Sequence, residues 1–107
     1  MNESNPANHS NGAHLFRLYV AGGAPNSVRA IANLYFICRR HFPESHRIEI
    51  IDVLKEPLRA LAEAIVVTPT LVKVSPGPEQ QIIGNLSEED EVLRALGLPQ
   101  TESKESK

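Results

Sequence analysis

The chain has no tryptophan, two tyrosines, three phenylalanines and a single cysteine among its 107 residues. One cysteine excludes an internal disulfide and predicts a reducing, cytoplasmic setting. Few aromatics and a net charge of −2 leave little basic, stacking surface, so neither nucleic acid nor an anionic membrane is an expected partner. No apolar run approaches the ~18 residues of a membrane span. The first thirteen residues lack the apolar core of a secretory signal, and the chain is expected to stay where it is made. A chain of this length forms one small domain at most.

What is present divides into three parts. Residues 1–14 are rich in Asn, Ser, Gly and Pro and are expected to form a disordered arm. Residues 99–107 read as a disordered tail, and 15–98 as the folded domain. Within it, β-favouring runs predict strands over 15–21, 47–53, 70–74 and 80–84. A helix follows Gly22, Gly23 and Pro25, capped by Asn26 or Ser27, with apolar Val28, Ile31, Leu34, Tyr35 and Cys38. Arg39, Arg40 and His41 suit its last turn, and Pro43 ends it. Pro57 starts a second helix whose apolar stripe is Leu58, Leu61 and Ile65. Ser87, with Asp90 three residues on, resembles a capping box for a third helix, with Val92, Leu93 and Leu96 inward and Gly97 at its end.

The order is βαβαββα. The first two strands need a helical crossover and so are parallel, while the short Ser75-Pro76-Gly77-Pro78 link makes the last two antiparallel. This predicts an α/β, thioredoxin-like domain with a mixed four-stranded sheet and three helices. The loop where a redox enzyme of that fold carries Cys-x-x-Cys reads Ala21-Gly22-Gly23-Ala24-Pro25, without cysteine. Thr68-Pro69, just before the third strand, is the expected place for a cis peptide, at a cost of about 0.5–1 kcal/mol for X–Pro.

No residue set announces catalysis. Cys38 falls near a helix C-terminus on an apolar stripe, where neither dipole nor cation favours a thiolate, so a buried structural cysteine is expected. His9, His14, His41 and His46 show no metal-ligand spacing, and no metal or cofactor is expected. Gly22-Gly23 lacks the Gly-Lys-Ser/Thr ending of a phosphate loop and reads as a tight turn. Glu88 to Glu91 reads as a solvated first turn of a helix, with an electrostatic docking patch as the alternative.

The blocks Leu18-Tyr-Val-Ala-Gly22, Pro25-Asn-Ser-Val-Arg-Ala30, Ile51-Asp-Val-Leu-Lys55 with Pro57, Thr68-Pro-Thr-Leu71 and Ile82-Ile-Gly-Asn-Leu-Ser87 together resemble the KaiB family of bacterial clock proteins. The resemblance implies a non-enzymatic regulator that binds a KaiC-type ATPase ring, in a clock, timer or stress-response system. A KaiA-like protein, a histidine kinase and a second copy of the chain are further implied partners. Arg29 and Lys73 match basic family positions and, with Lys55 at the start of the second helix, are the expected partner contacts; without such contacts Arg29 is a solvated helix charge and Lys73 an exposed strand lysine. Family members also switch between the thioredoxin-like arrangement and another order of the C-terminal half. Here Ala95, Gly97 and Pro99 depart from the family pattern. Ala in place of Gly favours helix by about 0.8–1 kcal/mol, and Pro99 blocks its continuation. These residues predict the thioredoxin-like arrangement as the resting one. The competing readings are a stand-alone adaptor for another regulator and a monothiol, glutathione-linked enzyme using Cys38.

Overall fold

The computed structural model describes residues 13–97. Residues 1–12 of the expected arm, residue 98 of the expected domain and the whole expected tail, 99–107, including Pro99, lie outside the described residues. The elements are β1 (His14–Val20), α1 (Pro25–His41), β2 (His46–Asp52), α2 (Pro57–Ala62), β3 (Thr70–Ser75), β4 (Gln80–Ile83) and α3 (Glu89–Ala95). The sheet order is β2-β1-β3-β4. β1 runs parallel to β2 and antiparallel to β3, and β3 runs antiparallel to β4. The expected α/β thioredoxin-like architecture is therefore present.

Side-chain alternation along each strand divides the sheet into two faces. Phe16, Leu18 and Val20 of β1, Ile48 and Ile50 of β2 and Leu71 of β3 pack with Ala30, Leu34, Ile37 and Cys38 of α1 and Val92, Leu93 and Leu96 at α3. Tyr19, Ile51 and Val72 point the other way, against Val53, Ile65 and Val74. α1 and α3 thus cover one face, and the α2 segment covers the other.

The local sequence explains most element ends. Pro25 occupies the first turn of α1, where its missing N–H costs nothing, and the cap position is Ala24, not Asn26 or Ser27. Ser27 is buried instead, and its Oγ accepts from the Ala21 N–H at 3.0 Å, tying the helix start to the end of β1. Gly22 takes φ +52°, a left-handed turn that favours glycine. Its N–H and that of Leu54 both donate to Asp52 Oδ1, at 3.1 and 2.9 Å. Gly97 follows α3 at φ +75°, as the sequence predicts. Ser87 does not cap α3, which starts after Glu88; its N–H instead donates to Asn85 Oδ1 at 3.0 Å. His14, expected in the arm, is the first residue of β1, since its N–H donates to the Ser45 carbonyl at 2.7 Å.

Candidate functional site

α2 is where the structure departs most from the sequence pattern. Leu58 and Leu61, expected on the inner stripe, are 77% and 74% exposed. The helix is only six residues long, and Ala64 turns into the left-handed region at φ +59°. The Ile65 N–H then donates to the Ala60 carbonyl at 2.9 Å, which brings Ile65 back to the sheet. Ala60 is the buried residue of the helix, and charged groups flank it toward the sheet. Arg59 donates to Glu49 Oε2 at 2.8 Å, and Arg17 reaches Glu49 at 3.3 Å and Glu63 at 3.7 Å. Arg17 and Glu49 are also register partners across β1 and β2. The hydrogen bond from Arg59, together with Arg17, holds the Glu49 carboxyl below its usual titration range.

With its polar side on the sheet, α2 turns its leucines outward. Leu54, Leu58, Leu61, Val66 and Val67 are all exposed. Val53, Pro57, Ala60, Leu61, Ile65 and Val67 line a shallow groove of about 350 Å³ that ends at Thr68. Beside it the Thr68–Pro69 peptide is cis, as expected; the Ser75–Pro76 and Gly77–Pro78 peptides are cis as well. Thr70 Oγ1 donates to the Val67 carbonyl at 2.8 Å and the Gly84 N–H to the Pro69 carbonyl at 3.0 Å, which fixes the loop. A cluster of exposed aliphatic side chains on one short segment is the kind of surface a protein partner covers.

The three expected partner cations do not meet. Lys55 is exposed in the turn before α2, next to the apolar cluster. Arg29 lies on the outer side of α1, hydrogen-bonded to Asn26 Oδ1 at 3.2 Å. Lys73 is only 5% exposed, which corrects the reading of an exposed strand lysine. Alternation places it on the same sheet face as Leu71, and its ammonium donates to the Pro76 carbonyl at 3.0 Å. Ala95 is the last residue of α3 and lines a second hollow, of about 270 Å³, with Ile82, Ile83 and Leu86.

Nothing in this geometry activates a nucleophile. Cys38 is fully buried, and burial pushes its thiol up to about 12. Among the described residues no cluster of three or more His, Cys, Asp or Glu side chains could hold a metal ion. No described helix is long and apolar enough to cross a membrane.

Comparison with known proteins decides the family. The KaiB domain model matches residues 17–98. The chain belongs to the KaiB family. It is 46% identical over 84 residues to the circadian clock protein KaiB3 of Synechocystis sp., spanning 78% of this chain and 82% of that one. It is equally identical over 85 residues to the circadian clock oscillator protein KaiB of Gloeothece citriformis, spanning 79% and 80%. Among solved structures, the N-terminal domain of Synechococcus elongatus SasA superposes with a TM-score of 0.66 at 25% identity, covering 79% of this chain and 84% of that one. Mitochondrial thioredoxin 3 of Saccharomyces cerevisiae gives 0.65 at 19% identity, covering 85% of each, a likeness of fold alone. KaiB identity at this level makes the chain a KaiB-like clock regulator on a thioredoxin-like scaffold.

Proposed function

We propose that this KaiB-family chain is a non-enzymatic binding protein that docks on a KaiC-type ATPase ring through the α2 segment and modulates its phosphorylation and ATPase cycle. The observation that carries the reading is the outward-facing set Leu54, Leu58, Leu61, Val66 and Val67 on a helix held down by its charges. Exposed aliphatic groups of this kind contribute affinity only when a partner removes them from water. Lys55 adjoins the set and supplies charge at its rim, where cations govern association rate more than affinity. Arg29 stands on the exposed side of α1 and Lys73 is buried, so neither supports this reading as directly as Lys55.

The buried thiol of Cys38 supports a role without bond chemistry. We further take the thioredoxin-like arrangement as the resting one, supported by Ala95 inside α3 and Gly97 at its end. Gel filtration with a cognate KaiC-type ATPase, repeated in ATP- and ADP-bound states, tests the reading. A co-eluting complex in at least one state is expected, together with a changed phosphorylation level of the ATPase. No complex in either state sinks the proposal.

A further inference from the structure

α1 carries a second surface that the ATPase reading leaves unused. Its seventeen residues include Arg29, Arg39 and Arg40 and no carboxylate, in a chain whose net charge is −2. At 100° per residue, Ser27, Ala30, Leu34, Ile37 and Cys38 form the buried side. Val28, Arg29, Tyr35, Phe36, Arg39 and Arg40 fall together on the opposite side, and all six are exposed. This outer side therefore combines exposed aromatic and aliphatic surface with cations of one sign. The Arg40 guanidinium sits 5.9 Å from the centre of the Phe36 ring, a cation–π contact within the face. Tyr and Arg are the residue types that dominate binding energy at protein interfaces.

The charge pattern selects the occupant. An apolar stripe flanked by arginines fits a helix with an apolar stripe of its own flanked by Asp or Glu. A second copy of this chain offers a poorer match. Its acidic run lies at α3, and Glu89 is already engaged by His41 at 2.6 Å and Arg40 at 3.4 Å. Glu89 lies against the last turn of α1, at Arg40 and His41, so a long polyanion or a flat anionic bilayer meets that carboxylate-rich turn, whereas a short acidic helix can seat toward Arg29, at the other end of α1. We propose that the outer face of α1 docks a short acidic amphipathic helix of a partner protein, separately from the α2 surface.

Fluorescence anisotropy with a dye-labelled probe helix tests this. The probe is about sixteen residues, or ~24 Å of helix, with Leu on one stripe and Glu beside it; the reference replaces every Glu by Lys. The probe is expected to bind and the reference not, with affinity falling as salt is raised. Arg29→Glu with Arg39→Glu is expected to weaken the probe by ~10-fold or more, reversing two charges at the interface. Phe36→Ser, which leaves every charge in place, weakens it too. Leu58→Ser leaves it unchanged, so failure here and failure of the α2 reading are distinguishable. Circular dichroism of each variant verifies that the fold is kept. The proposal is overturned by absent probe binding, by equal binding of probe and reference, or by variants that bind like the parent. Tighter binding of single-stranded DNA or of phosphatidylserine vesicles than of the probe also overturns it, as does a dimer of this chain that Arg39→Glu dissolves.

Discussion

On the α1 side of the sheet, thirteen buried residues join β1, β3, α1 and α3 into one apolar core; on the α2 side only Tyr19, Ile51 and Val72 are buried together. The first side is held by area removed from water, which has no preferred direction, and its one buried lysine, Lys73, is satisfied by the Pro76 carbonyl. The second joins that small cluster to a solvent-exposed network of Arg17, Glu49, Arg59 and Glu63. Ion pairs of that kind contribute little to stability, so α2 belongs to the low-stability end of the molecule. Its leucines are exposed and take no part in either buried cluster. The proposed α2 docking surface thus lies on the less buried side of the sheet, across from the main core.

Leu34→Ala should expose this division most sharply. Leu34 is 1% exposed in the centre of α1. Truncating it removes transfer free energy and leaves a cavity, at a cost of about 2–5 kcal/mol. Chemical denaturation should show the midpoint falling steeply. A loss below about 1 kcal/mol would mean that the α1 side is not the dominant core.

Cys38 tests the same side through its proton. Its folded-state value of about 12 lies above the ordinary thiol value of 9.0. A raised value means that the neutral thiol is favoured on folding. The contribution is complete below pH 9.0 and is lost as pH rises toward about 12. Iodoacetamide should therefore leave Cys38 unmodified in the native protein near neutral pH and alkylate it on unfolding. Fast native alkylation would reopen the monothiol enzyme.

Glu49→Gln addresses the α2 side and should cost far less than Leu34→Ala. Glu49 titrates below the ordinary carboxylate value of 4.5, chiefly through its hydrogen bond from Arg59. A lowered value means stability that is present above pH 4.5 and lost as pH falls through the folded value. The parent should lose stability in that acid window more steeply than the variant, and added salt should narrow the gap. Equal acid profiles would show that the charges do not anchor α2.

Much of this was legible in the sequence, and the misses share a cause. Period-two alternation in β1 and β2 assigns Phe16, Leu18 and Ile50 to one face and Tyr19 and Ile51 to the other, as observed. The seventeen residues of α1 span nearly five turns, and Ile31, Leu34 and Cys38 of its expected apolar set face the core, whereas Val28 and Tyr35 lie on the outer side. α2 has six residues, and over so short a helix the placement of leucines cannot establish which side faces in. The inward side was decided with Glu49 and Arg17, ten and forty-two residues upstream of Arg59, a tertiary effect without local signature. Lys73 misleads for a related reason. Hydropathy expects it outside, but strand parity sends it to the α1 face, where its stem is covered and the Pro76 carbonyl accepts its proton donor. Of the expected partner contacts, Lys55 is next to Leu54 of the apolar set, while Arg29 is on α1 and Lys73 is buried.

The smallest change in stability should come from the residues proposed to matter most for function. Leu58→Ser and Leu61→Ser remove exposed side chains that pack on little, so each should shift stability by no more than about 0.5 kcal/mol. Solubility should improve, since an exposed apolar cluster is shortened. Binding should respond in the opposite proportion. If these leucines fill the centre of the KaiC-type interface, each truncation costs ~2 kcal/mol or more of binding free energy. The double variant should then fail to co-elute with the ATPase while its denaturation curve overlays that of the parent. A double variant that unfolds early would mean the leucines belong to the core after all. One that is stable and still binds would move the docking surface away from α2, leaving the division between the two faces without its functional half.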